Sequence, residues 1–404
     1  KAMYKNRKNP IMNEQLQHEM DNIEDEEHKT MLKNLNTPSK LLSNQLNAGF
    51  KTQQKLTSIL KNNKIYNEQA NMIKIAEQHF AQLNKKDDKV ATNSNEFIHH
   101  KKCTSEISTD ITTEDVLNTI EKMSNKSEGL DGLTVKYYKD MKCTLAPFLA
   151  SFYNRVLNDV VTQDELTKFT QAKVVLIYKS GDARCLENYR PISILNVDYR
   201  IFSSIIFNKL QSIRHEILDN VLNTYDKNRN LIDNVINIDL NIKHMLKKYY
   251  LVSDISKAFD SVDHEYMFDC LKNANIPLKI TNTIIRIYMS STQCYIINGE
   301  LTKPIQMKRG VRQGDAMSCF LFPLVMNALL IKLNQLEATR SVFSHADDLI
   351  VCLTSKKAIK KAIRIINRFY FTSGLKMNIN KSLLMILNNH NYVLIFITKR
   401  SNIN

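Results

Sequence analysis

The chain has 404 residues, of which 43% are hydrophobic, and it carries a formal net charge of +15. This length is sufficient for a large core and two or more subdomains, and the excess of lysine and arginine favours a polyanionic partner. Nucleic acid is the first candidate, although a membrane surface or a ribosomal neighbour fits the charge equally well. Seven scattered cysteines without a Cys-x-x-Cys pair argue for a reducing compartment and against a disulfide framework or a zinc knuckle.

The first part of the chain, residues 1–105, is polar and rich in asparagine and lysine. Its weak apolar pattern predicts one solvated helix over 12–35 and a second helix from about 53 to 83. We interpret the segment as an N-terminal extension, mostly helical, that could hold a template. A partly disordered linker explains the same composition equally well.

The segment from 106 to 195 has clearer signals. Helix caps precede 116–123, and the loop that follows contains Gly129 and Gly132. A β-prone run over 174–178, a turn at Gly181 and a second apolar run then predict a hairpin. Lys179 and Arg190 would lie on this hairpin, where they could neutralise a triphosphate, arginine through two parallel hydrogen bonds and lysine as a point charge. Taken singly, each is equally typical of a surface charge.

Two acidic stretches carry the chemistry. Asp254 follows a strand-like run, and the pair Asp347–Asp348 lies between two apolar runs that predict a strand, a tight turn and a returning strand. If these strands are neighbours in one sheet, the carboxylates converge, and a divalent cation would relieve their repulsion. An Asp-Asp pair alone is a weak signal: Asp87–Asp88, in a lysine-rich segment, indicates a solvated loop.

Three further stretches surround the acidic ones. An Asn298-Gly299 turn predicts a hairpin, which leads into Arg309–Ser318 and a helix through Leu333. The two glycines of the Arg309–Ser318 segment would let the backbone approach a ligand closely. After the acidic pair, 359–371 predicts an amphipathic helix. The longest apolar run, 319–331, is too short to cross a bilayer, so we expect no membrane partner.

Four stretches, Asp254–Asp260, Arg309–Ser318, His345–Asp348 and Gly374–Ser382, resemble in order and spacing the palm motifs of reverse transcriptases of non-LTR (LINE-type) retrotransposons. The resemblance covers roughly residues 115 to 387. It implies an α+β right-hand polymerase whose antiparallel palm sheet is backed by helices. The implied domains are the extension at 1–105, fingers at 106–248, palm at 249–387, and the truncated start of a thumb or a tail at 388–404.

The resemblance also implies an activity, RNA-directed DNA synthesis by two-metal nucleotidyl transfer to a primer 3′-hydroxyl. Asp254, Asp347 and Asp348 would then be catalytic and would hold two Mg²⁺ ions, with Mn²⁺ as an alternative. The implied partners are an RNA template, a DNA primer or target DNA, and deoxynucleoside triphosphates. Intracellular residence, in the nucleus, is expected from the integration chemistry of the family.

Other roles are carried over residue by residue. Lys179, Arg190, Gln313 and Gly314 would bind the incoming nucleotide, and Phe259 would exclude a ribose 2′-hydroxyl by steric contact. Lys381 would act as a general acid toward pyrophosphate, although a plain surface lysine explains it nearly as well.

The chain departs from the family pattern in three places. His345 stands where the family carries an aromatic residue near the primer end, which predicts a weakened primer contact. The segment 223–234 lacks the usual Gln, Gly and Phe. Asp315-Ala316 replaces Cys-Pro, which predicts a less rigid start of the following helix. These departures keep open a second hypothesis, a catalytically decayed retroelement remnant that only binds nucleic acid.

Overall fold

The computed structural model describes residues 55–90, 95–98, 101–219, 231–244, 246–337, 342–388 and 391–396. From Leu56 onward they belong to one structural unit. The helix predicted over 12–35 and most of the segment 223–234 lie outside the described residues, so those predictions stay predictions.

The described helices and strands alternate irregularly along the chain, as expected for an α+β fold. The strands are β1 (Ile59–Lys61), β2 (Lys64–Tyr66), β3 (Ala172–Tyr178), β4 (Tyr189–Leu195), β5 (Tyr249–Ser253), β6 (Thr292–Ile297), β7 (Glu300–Leu301), β8 (Ile305–Gln306), β9 (Val342–His345), β10 (Asp348–Leu353), β11 (Leu383–Asn388) and β12 (Asn391–Phe396). The α-helices are α1 (Gln69–Leu83), α2 (Thr113–Lys122), α3 (Val135–Asp140), α4 (Lys142–Leu157), α5 (Gln163–Thr170), α6 (Val197–Ser212), α7 (Arg214–Ile217), α8 (Leu231–Lys243), α9 (Ala258–Ser261), α10 (His264–Asn273), α11 (Leu278–Ser290), α12 (Ser318–Asn334) and α13 (Lys356–Ser373). None of these helices is both long enough and apolar enough to cross a membrane.

One sheet carries both acidic stretches. Its strand order is β12-β11-β5-β10-β9, and every neighbouring pair is antiparallel. Along β5, Tyr249 and Leu251 point into the main core, while Tyr250 points into a smaller cluster with Phe343 on the other face. Since both faces of the sheet are packed, its register is strongly specified.

Helices cover the main-core face of this sheet. α13 packs against β5 and β10, and α10 and α12 pack against α13. The smaller cluster on the other face is covered by Ile238 and Ile242 of α8. The resulting architecture is the predicted antiparallel palm backed by helices.

A second sheet corresponds to the predicted fingers hairpin. β3 and β4 pair antiparallel from Ala172↔Leu195 to Tyr178↔Tyr189, and β3 also pairs in parallel with β6. The turn between β6 and β7 consists of Asn298 and Gly299, whose φ angles of 52° and 93° are those that an Asn-Gly hairpin turn requires. Both hairpins were expected from the sequence.

The helix predicted from about 53 to 83 is wrong over its first half. Residues 59–66 form the β1–β2 hairpin, and the helix begins only at Gln69. Asn62 and Asn63 lie between the two strands with φ of 50° and 60°, a left-handed conformation that asparagine tolerates and that ends a helix. The apolar residues of this segment fit a helical period, but the two adjacent asparagines are a turn signal that overrides it.

The sheet also continues past the predicted palm boundary at 387. β12 pairs with β11 along its whole length, from Leu383↔Phe396 to Asn388↔Asn391. Residues 391–396 therefore belong to the same sheet as the two acidic stretches.

We expect Gly374→Ala to lower the free energy of unfolding by about 3 kcal/mol or more. Gly374 ends α13 with φ of 76°, and a Cβ atom there would lie 2.3 Å from the Ser261 carbonyl oxygen. The matched control is Gly132→Ala, where φ is 71° but no atom lies within 4 Å of the added Cβ. Chemical denaturation should show a loss of only about 1 kcal/mol for the control. Equal losses in the two variants would contradict the close approach at Gly374.

Candidate active site

The pairing of β5 with β10 brings the acidic stretches together. Ser253 pairs with Leu349, and Asp254 and Asp348 each lie one residue beyond this pair at the same end of the sheet. Asp347 lies in the two-residue turn between β9 and β10, next to Ala346, whose φ is 53°. A non-glycine residue in this conformation is strained, and such strain is concentrated at functional sites.

The carboxylates interact electrostatically. Partial burial, followed by the negative charges of Asp347 and Asp254, raises the pKa of the Asp348 carboxyl above its ordinary value. His345 and Lys179 act in the opposite direction. Carboxylate oxygens are the ligands that Mg²⁺ and similar hard cations prefer, so the chemistry of these three residues fits a divalent ion. Among the residues that the structure describes, however, no three His, Cys, Asp or Glu side chains are already arranged to hold one.

Asp254 has two protein partners. Its Oδ2 atom accepts a hydrogen bond from Asn378 Nδ2 at 2.9 Å and lies 3.7 Å from Lys381 Nζ. The backbone N–H of Asn378 donates to the Asp254 carbonyl at 2.8 Å, which fixes the Gly374–Ser382 segment beside the strand end. Lys381 therefore lies beside the Asp254 carboxylate. Its role as a general acid stays a prediction.

A pocket of about 660 Å³ lies in front of this strand end. Eight of the ten predicted site residues line it, namely Lys179, Arg190, Asp254, Phe259, Gln313, Gly314, Asp347 and Lys381. Asp348 and His345 are not part of its lining; they pair with each other across the β9–β10 turn, and both are exposed. The residues inferred from separate motifs thus surround one cavity.

The fingers contribute the positive charge of the pocket. Lys179 follows β3, and its backbone N–H donates to the Asn188 carbonyl at 2.9 Å. Arg190 pairs with Ile177 in the β3–β4 ladder. These cations act on the carboxylates of the palm. Lys179 opposes the upward shift of the Asp348 pKa, and Arg190 opposes the upward shift of the Asp260 pKa.

Phe259 lies at the wall of the pocket. It stacks on Phe322 of α12 with a centroid distance of 4.7 Å and an interplanar angle of 12°. Its carbonyl accepts a hydrogen bond from Val311 N–H at 2.7 Å. The position of the ring is compatible with the steric role predicted for it.

The Gln313-Gly314 segment packs directly on the fingers. Ser193 N–H of β4 donates to the Gln313 carbonyl at 2.8 Å. Gly314 has φ of 115°, and a Cβ atom there would lie 2.5 Å from the Ser193 carbonyl oxygen, so only glycine fits. The Gln313 side chain donates from Nε2 to Asp260 Oδ1 at 3.0 Å, which turns the amide toward the palm.

The neighbouring Arg312 and Asp315 are buried and support this segment. Arg312, only 1% exposed, donates to the Thr170 carbonyl at 2.9 Å and lies 4.9 Å from the centre of the Tyr199 ring. Asp315 accepts hydrogen bonds from Tyr199 OH, Ser203 Oγ and Met317 N–H. These bonds tie the start of α12 to α6, where the sequence predicted a less rigid start.

Several contributors to the site were missed. Asp260 and Asn378 lie inside the quoted motifs and could have been found there, since both are polar residues near a strand end. His79, Phe80 and Leu83 of α1 also line the pocket, and His79 Nδ1 lies 3.3 Å from Glu187 Oε1 of the fingers. No local signal marks these three residues.

The interpretation of Asp87–Asp88 as a solvated loop holds only for Asp88, which is exposed. Asp87 accepts a hydrogen bond from Tyr370 OH at 2.9 Å and lies 4.0 Å from Arg309 Nη1. It therefore connects the segment after α1 to the palm.

A sheet with carboxylates at adjacent strand ends, facing a basic hairpin across a pocket, defines a right-hand polymerase of the fingers and palm type. The sequence family described as "Reverse transcriptase (RNA-dependent DNA polymerase)" matches residues 177–400, and the chain belongs to this family. Its members generally use divalent metal ions.

The relatives confirm the predicted relationship to non-LTR retrotransposons. The chain is 28% identical over 292 residues to a transposon TX1 uncharacterized 149 kDa protein of Xenopus laevis, covering 68% of this chain and 22% of that protein. It is 26% identical to the Pol polyprotein of the type-1 retrotransposable element R2 of Nasonia vitripennis, covering 65% of this chain and 26% of the relative. The matched part of the chain thus spans about a quarter of the length of these two relatives.

Among solved structures, the chain is similar to an apo telomerase of Candida tropicalis truncated from its C-terminal domain. The TM-score is 0.42 and the sequence identity is 16%, over 57% of this chain and 54% of that one.

We expect Asp260 to make stability depend on pH. Burial raises the pKa of its carboxyl from 3.8 to about 6, while Gln313 and the nearby cations oppose this shift. The folded state therefore binds the proton more tightly than the unfolded state, and this contribution to stability is lost as the pH rises from about 4 through about 6. The loss should be at most about 3 kcal/mol.

The control is Asp260→Asn, which keeps an oxygen to accept from Gln313 but cannot ionise. Urea denaturation from pH 4 to 8 should show the variant gaining stability relative to the native chain as the pH rises. Asp198, whose pKa burial also raises to about 6, is common to both proteins and cancels in the comparison. Parallel pH profiles would show that the Asp260 pKa is not raised.

Proposed function

We propose that this chain catalyses RNA-directed DNA synthesis as the polymerase of a non-LTR retrotransposon. One observation carries the proposal: Asp254 and Asp347 line the same pocket as Lys179 and Arg190, with Asp348 beside them at the strand ends. A triphosphate needs cations around it, and the transferred phosphoryl group needs hard oxygen ligands close by for metal ions. The pocket offers both.

Asp254, Asp347 and Asp348 would hold two Mg²⁺ ions, with Mn²⁺ as an alternative. When bound, such ions lower the pKa of an attacking hydroxyl and neutralise phosphate charge. The chain itself supplies positioning. The strained turn at Ala346 aims Asp347 into the pocket, and Asn378 holds Asp254 by a hydrogen bond.

The incoming deoxynucleotide would lie between fingers and palm. Arg190 and Lys179 would contact its triphosphate, and the Gln313-Gly314 backbone would lie against the nucleotide because glycine allows close approach. Phe259, stacked on Phe322, would lie beneath the sugar and collide with a 2′-hydroxyl. Lys381, already within 3.7 Å of Asp254, would donate a proton to the leaving pyrophosphate.

The remaining partners are part of the proposal, and membership of the reverse transcriptase family supports them. We propose an RNA template and a DNA primer or target DNA, with His345 near the primer end, and residence in the nucleus. Among described residues His345 lies on the exposed end of β9, beside the carboxylates, which is compatible with a primer contact outside the nucleotide pocket.

The direct test is primer extension on an RNA template with deoxynucleotides and Mg²⁺. We expect Asp347→Asn to lower the extension rate by at least about 10³-fold, because the amide removes a negative metal ligand from the site. A parallel series with Mn²⁺ distinguishes the two ions.

Asp88→Asn is the matched control. It changes the other Asp-Asp pair, at a side chain that is 82% exposed and whose partner is Lys85. This control should extend primers at the native rate. If the native chain binds primer–template but does not extend it with either ion, and the longer natural protein is equally silent, the proposal is overturned and the decayed remnant stands.

A second prediction concerns sugar selection. Phe259→Ala should raise the use of ribonucleotides relative to deoxynucleotides by about tenfold or more, because it removes the ring that meets the 2′-hydroxyl. Phe259→Tyr keeps the ring and should leave selection unchanged. The measurement is kcat/KM for each nucleotide on one template. An unchanged ratio in Phe259→Ala would exclude a steric role for this ring.

A further inference from the structure

The outer face of α13 has an unusual charge distribution. This 18-residue helix contains six basic residues and no acidic residue. The basic residues are Lys356, Lys357, Lys360, Lys361, Arg364 and Arg368. All six are exposed. Their spacing of three, four and seven residues places them on one side of the helix, in a band about 18 Å long.

An aromatic side chain continues this band at its C-terminal end. Phe371 is three residues after Arg368 and seven after Arg364, so it shares their side of the helix. It is 51% exposed, and its ring lies 5.0 Å from that of Tyr370. We call the six basic residues together with Phe371 the α13 face.

The charges of this face are largely uncompensated within the protein. Arg368 pairs with Glu96 at 2.6 Å. In the described part of the chain, Lys357, Lys360, Lys361 and Arg364 form no ion pair within 4.0 Å. Like charges four residues apart destabilise a helix, so this arrangement has a cost that a bound polyanion would remove.

The opposite side of α13 argues against a membrane surface as the polyanion. Ile359, Ala362, Ile366 and Phe369 are at most 2% exposed, because they pack into the core under the palm sheet. A basic amphipathic helix binds a membrane by inserting its apolar side, and here that side is occupied. The α13 face is also separate from the polymerase pocket, since no residue of α13 lines that pocket.

We propose that the α13 face binds a strand of single-stranded nucleic acid, with the basic residues on its phosphates and Phe371 stacked on a base. A row of cations with an exposed aromatic residue is the combination that holds single strands without reading their sequence. The site would act outside the catalytic centre, on RNA or DNA that passes over the back of the palm. The proposal does not depend on polymerase activity.

The test is a binding titration of the full chain with a labelled single-stranded RNA and a DNA of the same sequence. The variant carries Lys357→Gln, Lys360→Gln, Lys361→Gln and Arg364→Gln, exposed substitutions that preserve helix propensity. The control carries Lys101→Gln, Lys102→Gln, Lys122→Gln and Lys303→Gln, four exposed lysines elsewhere that remove the same total charge.

We expect the α13 variant to bind at least about tenfold more weakly at 0.1 M salt, and its affinity to depend less steeply on salt, because fewer counterions are released. The control should change affinity less than threefold. Equal losses of affinity for the RNA and for the DNA would identify phosphate contact. A larger loss of affinity for the RNA would identify RNA as the ligand. Equal losses in variant and control would overturn the proposal.

Phe371→Ala tests the stacking contact separately. It should weaken binding of the single strands by about fivefold or more but leave a duplex of the same length unaffected. Circular dichroism of each variant checks that α13 remains folded. A Phe371→Ala protein that binds single strands as tightly as the native chain would contradict the stacking contact.

Discussion

The antiparallel register between β5 and β10 is the constraint on which the site depends. It sets Ser253 opposite Leu349, and so places Asp254 and the Asp347–Asp348 turn at one end of the sheet. A slip of one residue would turn every side chain of a strand to the other face. Such a slip is costly here because both faces are packed: Leu251 lies in the main core, and Tyr250 lies in the smaller cluster. Hydrophobic packing thus holds together carboxylates that repel one another.

The side of the pocket formed by Gln313 and Gly314 depends on close backbone contacts rather than on packing. Gly314 brings the segment between β8 and α12 against Ser193 at a distance that a Cβ atom would forbid, and a Cβ atom at Gly310 would lie only 3.0 Å from the Asp260 backbone. The buried Arg312 and Asp315 fix this segment from behind, through Tyr199 and Ser203. Buried charged groups are costly unless they are hydrogen-bonded, and the bonds of Arg312 to Thr170 and of Asp315 to Tyr199 and Ser203 therefore favour one arrangement of the loop. In this arrangement the Gln313 side chain lies within hydrogen-bonding distance of Asp260.

Local sequence patterns were sufficient for the parts of the site that local structure determines. The strand, turn and strand around Asp347 and the hairpins at Gly181 and Asn298-Gly299 were predictable, because alternation and turn residues are local signals. The role of α1 was not. Its place at the pocket depends on contacts over more than two hundred residues, such as Arg309 Nε to the Leu83 carbonyl and Lys308 N–H to the Asn84 carbonyl. The contacts of Asp87 could not be predicted for the same reason, since its partners Tyr370 and Arg309 are distant in sequence.

The contact between Lys381 and Asp254 affects the cost of binding the proposed divalent ion. The ammonium partly offsets the charge of a carboxylate that interacts with Asp348. The pair is loose, at 3.7 Å with a lysine that is 57% exposed, and exposed pairs of this kind contribute at most about 1 kcal/mol. A divalent ion could therefore replace the lysine at little cost. Asn378 would keep Asp254 in place during the exchange, since its hydrogen bond is independent of Lys381. The released ammonium of Lys381 would remain at the pocket wall, where it could pair with a negatively charged triphosphate.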